Sequence, residues 1–374
     1  MQIFKMNGFV FSVTIFVLTL SFSGCDKDKS YLIEEKDGVT LVHNKFTEFE
    51  KSPVSLQFIR QIGETDSKDE TTWFAQPLDL VVDSEGSIFI LDMGMNHIKK
   101  YDSAGNYVKT IGQKGQGPGE FESIMKMEID EIDNIYVIDI YGRVQVFDND
   151  GNYLHEFRIQ NFTIFFKVLG DSHLVINKVF NEGNKNLLHF TDRSGDIQSS
   201  FCEMETCQEP LGLRYLNGIT FCTDAHNNIY VAFRSQNRIE KYSTKGKLQF
   251  CADRPLNYDI HFRQDGFETL NAGGSPLKIP KWDYSHVSRD IDVDYNNRLW
   301  VITFQKQPEG MPSPEDIPKM LEFEIFSADG ILMCKLPFPD ESFDSMRIFG
   351  KRLFFIDPQE RVCVREYEIV EQGA

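Results

Sequence analysis

One short pattern recurs along the chain at a near-constant interval, and that interval limits the fold more than any single residue does. The clearest copy is Pro77-Leu78-Asp79-Leu80-Val81-Val82-Asp83, then Ser84-Glu85-Gly86-Ser87, then Ile88-Phe89-Ile90-Leu91-Asp92. His97 to Asp102 follows, then a turn at Ser103-Ala104-Gly105-Asn106, then Tyr107 to Gly112. These are four β-type runs separated by turn chemistry, since Gly and Asn accept positive φ and Asp bonds its own backbone. The unit returns at Asp130-Glu131-Ile132-Asp133-Asn134-Ile135-Tyr136-Val137, at Asp224 to Val231 and at Asp294 to Val301. Asp83 to Asp130 is 47 residues, Asp130 to Asp224 is 94, and Gly105 to Gly151 is 46. No window of eleven or more residues carries a helical period.

A period in the mid-forties with four strands per unit predicts an all-β, six-bladed β-propeller of four-stranded antiparallel blades. A single four-stranded sheet cannot bury both faces, but a ring of them can. Strands apolar on both faces, such as Ile88 to Leu91, fit that burial, and the 32 Phe are expected to fill the gaps between blades. Six copies span roughly 77–112, 123–158, 164–200, 217–251, 289–336 and 344–370, and the last lacks a fourth strand. Residues 55–63 end in Ile62-Gly63, as the first copy ends in Ile111-Gly112. They are therefore expected to close the last blade, since an open ring leaves an exposed edge. The alternative partner for 55–63 is a free hairpin with 31–42.

The first 24 residues read as a signal peptide. Lys5 is the sole charge before Asp26, and the apolar run 9–22 is fourteen residues long. That is short of the ~20 residues a spanning helix needs, and suits a signal core. The run ends in Ser23-Gly24-Cys25 and a charged stretch, which resembles a bacterial lipoprotein signal. That resemblance implies lipidation of Cys25 and a palmitate-type anchor in the cell envelope, on an outer-membrane, periplasmic or surface side. Residues 25–54 are expected to be a lipid-anchored spacer able to form a hairpin, and 55–374 the propeller. The "D-x-x-[GN]-N-I-Y-V…Y/F-D-x-x-G" units resemble NHL repeats, so the chain resembles the NHL-like, six-bladed propeller lipoproteins of bacteria. That resemblance is informative for fold and weak for function, because propellers host unrelated activities.

Composition excludes several classes. With 57 Asp+Glu against 39 Lys+Arg, the formal charge is −18, which disfavours nucleic acid as a partner. Beyond Cys25 there are six cysteines, Cys202, Cys207, Cys222, Cys251, Cys334 and Cys363, which allow fifteen pairings. Cys222, Cys334 and Cys363 sit in apolar strand patterns, where buried free thiols are expected. No spacing of Cys and His suits zinc.

Function is sought where the repeat is interrupted. Long irregular segments at 64–76, 112–123, 201–217, 253–286 and 305–318 all belong to connections that share one face of a propeller. They carry Trp73, Phe74, Arg214, Trp282, Tyr284, His286 and Arg289, while Arg143 and Arg234 are expected on the same rim. Aromatics beside Arg suit stacking on a sugar or clamping a carboxylate. Each residue alone is equally explained by loop packing; together they form a candidate binding surface. Gln113 to Glu120 is glycine-rich but lacks the Lys-Ser/Thr ending of a phosphate loop, so an ordinary linker is expected. Nearer the axis, Asp79, Glu128, Asp290 and Asp292 form a candidate Ca²⁺ site, against which Lys126 and Arg289 offer a simpler neutralisation. The expected function is a monomeric, membrane-anchored binding or scaffold protein that recognises a glycan, peptide or protein partner. The alternative is a metal-assisted lyase or lactonase working in the channel. The eight His do not recur at equivalent inner positions, and no Gly-x-Ser-x-Gly elbow is present.

Overall fold

The repeat is built by its turns. In a computed structural model, residues 29–64, 69–159, 165–170, 173–178, 185–206, 210–272, 275–308, 312–339 and 342–372 are described. The signal segment, Cys25 and Cys207 lie outside them. Asp130 Oδ1 accepts the backbone N–H of Ile132 at 3.1 Å and of Asn134 at 2.8 Å. Asp224 does the same for His226 and Asn228, both at 2.9 Å, and Asp294 for Asn296 and Arg298 at 2.9 and 3.1 Å. These aspartates fold the first turn of blades two, four and five by satisfying orphan N–H groups locally. In the third turn Asp102 and Asp148 play the same part, each accepting from an Asn N–H at 2.8 Å.

Between these turns lie six sheets whose strands pair in sequence order. Blade one is Pro77–Val82, Ile88–Asp92, His97–Tyr101 and Tyr107–Ile111. Blade two is Ile124–Ile129, Ile135–Asp139, Arg143–Phe147 and Tyr153–Arg158. Blade three is Phe166–Val168, Leu174–Asn177, Asn186–Thr191 and Ile197–Glu203. Blade four is Ile219–Thr223, Ile229–Phe233, Ile239–Tyr242 and Leu248–Asp253. Blade five is Ser288–Val293, Leu299–Phe304, Leu321–Phe326 and Leu332–Pro337. Blade six takes Ser345–Phe349, Arg352–Asp357 and Cys363–Glu371 from the end of the chain.

The fourth strand of blade six is Val54–Ile62, antiparallel to Cys363–Glu371. The ring is thus latched from its N-terminal side, as the Ile-Gly echo implied. The closing strand belongs to the cores on both of its flanks. Val54 is buried against blade five and Ile62 against blade one.

The 31–44 segment is not a free spacer. Tyr31–Lys36 and Val39–Asn44 form a hairpin whose second strand runs parallel to Leu248–Asp253, making blade four six-stranded. Buried Asn44 fixes it there. Its Nδ2 donates to Asp253 O at 2.8 Å and Gly330 O at 3.0 Å, and its Oδ1 accepts from Leu332 N at 2.8 Å. A second departure is the 253–286 segment. It contains a long hairpin, Phe262–Ala272 with Ser275–Tyr284, that pairs with no blade. Phe267, on its first strand, is 65% exposed.

Burial is divided among six apolar clusters, one at each junction between neighbouring blades. Phenylalanines fill these junctions. Phe323, Phe343 and Phe355 pack at the five–six junction, and Phe190, Phe201, Phe221 and Phe233 at the three–four junction. Close approach also sets the glycine spacing. Gly151 has φ +74, and a Cβ there would lie 2.5 Å from Ile111 on the outer strand of the preceding blade. Gly105 has φ +88 and meets Arg60 of the closing strand in the same way, at 2.7 Å. Only a residue without a side chain tolerates both demands. Among the described residues Cys202, Cys222, Cys251 and Cys334 are free thiols, and Cys222, Cys334 and Cys363 are buried as expected.

Removing residues 54–62 should abolish cooperative thermal unfolding, since it exposes the edge of Cys363–Glu371 and opens two junction cores. A circular-dichroism melt with an unchanged midpoint would refute the latch.

Candidate functional site

Two regions bring candidate residues together: the axis of the ring and the rim between blades four and five. At the axis, the first strand of each blade starts beside that of its neighbour. Asp79 Oδ2 accepts the N–H of Met127, on blade two, at 2.9 Å. Asp290 Oδ2 accepts that of Met346 and Asp292 Oδ2 that of Ile348, both on blade six and both at 2.8 Å. Asp290 Oδ1 also accepts from Thr220 Oγ1 of blade four at 3.0 Å. These inner carboxylates staple blade to blade.

Positive charge at the axis is supplied by the chain itself. Lys126 Nζ lies 3.3 Å from Asp79, and Lys167 Nζ lies 3.0 Å from Glu128. Arg347 reaches both acids, donating to Glu128 at 2.9 Å and lying 3.5 Å from Asp79. Burial alone would raise the Glu128 carboxyl, but Arg347, Lys167 and Lys126 outweigh it and hold it at about 2. Burial pushes Asp292 upward, opposed by Lys167 and Arg347.

These residues do not fit the expected Ca²⁺ site. Calcium takes six to eight free oxygens, whereas each of the four acids is already engaged by N–H groups, a hydroxyl, lysine or arginine. Among the described residues no three His, Cys, Asp or Glu side chains are grouped to hold a metal. The neutralisation suggested by Lys126 is what the axis uses, with Lys167 and Arg347 in the place expected for Arg289.

At the rim, the connection from blade four to blade five turns back over both blades. Its hairpin ends in Trp282, Tyr284 and His286, and Arg289 opens the inner strand of blade five. The rings form a continuous row. Trp282 stacks on Phe262 with centroids 4.9 Å apart and 22° between planes. Phe262 meets Tyr284 at 6.3 Å, Tyr284 meets Tyr215 at 5.3 Å and His286 at 5.0 Å, and His286 meets Phe304 at 5.4 Å. The loop is pinned at His286. Its N–H donates to Gln307 Oε1 at 2.8 Å, and its C=O accepts from Gln307 Nε2 at 2.7 Å and Tyr258 OH at 3.1 Å.

Two guanidinium groups face this row. Arg234 follows the second strand of blade four and is exposed; its side chain has no hydrogen bond or ion pair among the described residues. Its backbone holds the loop, with Val287 N donating to Arg234 O at 2.7 Å. Arg289 lies over the Phe343 ring at 4.8 Å and donates to Phe343 O at 3.1 Å. Burial, then the charges of Arg289 and Arg234, hold His286 below the ordinary imidazole range. Burial likewise lowers Arg289, against the pull of Asp344 and Asp290 and with the push of Arg234. Two buried donors, Trp282 Nε1 and Arg289 Nε, have no acceptor among the described residues. An orphan of this kind costs about 1–3 kcal/mol, and such costs collect at functional sites. An open groove of about 450 Å³, lined in part by Lys306, Gln307 and Lys319, adjoins the row through Gln307.

The remaining rim candidates fall elsewhere. Phe74 is buried in the core between blades six and one, under Lys99. Trp73 is half-buried beside it, its carbonyl accepting from Lys99 Nζ. Arg143 is buried in blade two, donating to Gln116 O at 2.8 Å and Glu120 O at 2.9 Å. It anchors the glycine-rich linker, whose Glu120 carboxylate turns inward to Gly117 N at 2.9 Å, an arrangement that repels phosphate. Arg214 is exposed on the short helix Pro210–Leu216, next to Tyr215. Tyr215, Phe262, Phe304 and Gln307 are site residues that sequence reasoning missed. Tyr215, Phe262 and Gln307 lie in segments already marked as irregular, which was a usable signal; Phe304, on a strand of blade five, had none.

A Ser285–His261–Asp283 chain at the hairpin base has the look of a hydrolytic triad, with contacts of 3.1 and 2.9 Å. Ser285 is fully buried and accepts the N–H of His261 at 3.0 Å. It is a fastening of the hairpin, with no exposed nucleophile.

Stability should record the axial charges. The Glu128 carboxyl is depressed in the folded state, so its contribution is complete above the ordinary carboxylate range and is lost as pH falls toward about 2. Glu128→Gln should lower the urea midpoint at neutral pH by the equivalent of about 3–5 kcal/mol, because Lys167 and Arg347 lose a buried partner. It should also flatten the fall in midpoint between about pH 5 and about pH 2 relative to wild type. Identical pH profiles would refute the assignment.

Among solved structures, the chain resembles a member of the DUF4221 family from Bacteroides vulgatus at 13% identity and TM-score 0.57, covering 86% of this chain and 99% of that one. It resembles a protein of Bacteroides fragilis, named as exported, at 14% identity and TM-score 0.57, covering 89% and 100%. Virginiamycin B lyase from Staphylococcus aureus lies further off, at 11% identity and TM-score 0.47, covering 85% and 100%, and carries no argument about activity. At these identities the likeness shows the fold alone. No curated protein matches the chain. No helix among the described residues is long and apolar enough to cross a membrane. A family model described as a six-bladed beta-propeller matches residues 70–259, half of the chain, and the protein belongs to that family, DUF5128.

Proposed function

We propose that this protein is an exported, membrane-tethered propeller that binds a ligand as a monomer at the rim between blades four and five. The observation that carries the reading is the juxtaposition of Arg234, Trp282, Tyr284, His286 and Arg289. Four connections of one face supply them and their supports, and the exposed Arg234 guanidinium is unpaired among the described residues. Rigid strands beneath position mobile-looking chemistry on loops, the usual arrangement of a recognition face. The axis supports catalysis less well, because its acids are committed to inter-blade contacts and to Lys126, Lys167 and Arg347. A glycan and peptide array probed with the purified protein should give hits that weaken in Trp282→Ala and Tyr284→Ala but not in Trp73→Ala. Hits indifferent to both rim substitutions would place the ligand elsewhere.

Export and anchoring rest on the 9–22 apolar run and Ser23-Gly24-Cys25, with support from the exported protein of Bacteroides fragilis that shares the fold. From Cys25 only five residues lead to Ser30, where the chain joins blade four. At about 3.5 Å per residue this tether reaches less than about 20 Å, so the anchor would hold the ring close to the bilayer with blade four nearest it. Labelled palmitate should enter the wild type in cells and be absent from Cys25→Ser; equal labelling would remove the anchor.

A further inference from the structure

The rim site is unequal in its polar chemistry. Among the described residues its groups without a partner are donors: the exposed Arg234 guanidinium and two buried N–H groups, Trp282 Nε1 and Arg289 Nε. Nearby carboxylates are largely spent. Asp283 is held by His261 at 2.9 Å and by Arg263 at 2.6 Å, and Asp290 by Thr220 and Met346 N. Asp344 and Asp290 pull on Arg289 more strongly than Arg234 pushes on it, which leaves the exposed Arg234 guanidinium as the charge not yet answered. A surface whose exposed unpaired charge is a guanidinium is completed by a ligand carrying negative charge on oxygen acceptors. Since the whole chain is at −18, the two arginines are a local reversal of sign and not part of a basic field.

The apolar part of the site is as one-sided as the polar part. Trp282, Phe262, Tyr284, Tyr215 and His286 present ring after ring, with centroids 4.9 to 6.3 Å apart. A peptide would dock here only as a proline-rich segment on the rings or an acidic one on the arginines. Flat rings bordered by hydroxyls suit the apolar faces of sugars.

Building on the rim-binding reading above, we propose that this site takes a carboxylate-bearing oligosaccharide. Its sugar rings lie along Tyr215, Tyr284 and Trp282, and its carboxylate is bound by Arg234 with Arg289 behind it. Burial keeps His286 neutral, so it packs as an aromatic wall and leaves the charge to the arginines.

The test is a calorimetric titration of the purified protein with a panel of oligosaccharides containing uronic or sialic acid, with neutral oligosaccharides of the same length, and with hexaglutamate peptide. At least one acidic oligosaccharide should bind saturably, and its neutral counterpart about tenfold or more weaker, the share of one charge-assisted pair. Arg234→Gln, on an exposed side chain, should keep the wild-type melt and lose the same tenfold for the acidic ligand alone; Trp73→Ala should bind as wild type. Neutral and acidic sugars binding equally, with Arg234→Gln silent but Trp282→Ala weakened, would overturn the acidic-sugar assignment and leave the rim reading standing. Preferential binding of hexaglutamate would overturn the sugar class. Binding that ignores Trp282→Ala as well, or no binding across the panel, would overturn both.

Discussion

Everything in this molecule depends on the pairing of Val54–Ile62 with Cys363–Glu371. Six blades share six junction cores, and each core needs a blade on both sides. The chain runs out three strands into the last blade. Unless the N-terminal strand returns to complete it, Ile62, Phe74 and Leu80 on one flank and Val54, Tyr367 and Ile369 on the other lose part of their cover. Loss of two junctions is a large fraction of the marginal stability of any domain. Arg60 of the same strand fits under Gly105 of blade one, so the latch also sets the spacing to the next blade.

A second constraint acts at the axis. Inner carboxylates reach sideways to the N–H groups of neighbouring inner strands, as Asp79 does to Met127 and Asp292 to Ile348. This use of acid side chains explains why an acidic channel need not be a metal channel. The negative charge is consumed by backbone donors and answered by Lys126, Lys167 and Arg347. With the axis committed to holding the ring, the rim is where connections of different length meet without disturbing the strands below.

Much of the fold was legible because the turns are chemically explicit. Asp130 with Asn134, and Asp102 with Gly105 and Asn106, name their own conformation, and their recurrence names the architecture. The added hairpin on blade four was not legible in its location, because pairing Val39–Asn44 to Leu248–Asp253 joins segments about two hundred residues apart. Among site candidates, Tyr284 and His286 fall in the ring row at the rim, whereas Phe74 and Arg143 were not separable from them by residue type. An aromatic in a connecting loop looks the same whether it faces solvent or plugs a junction, and an arginine looks the same whether its guanidinium is free or caps carbonyls such as Gln116 and Glu120.

The sequence by itself determined the repeat, the number of blades and the closure, since periodic turns and both-face apolar strands have one economical solution. Only the tertiary structure decided which loop residues form a surface. That choice rests on where neighbouring connections cross: Arg234, Tyr284 and Arg289 come from separate strands and meet because blades four and five are adjacent. Burial then assigned the roles, sending Phe74 inward and leaving Arg234 unpaired at the rim among the described residues.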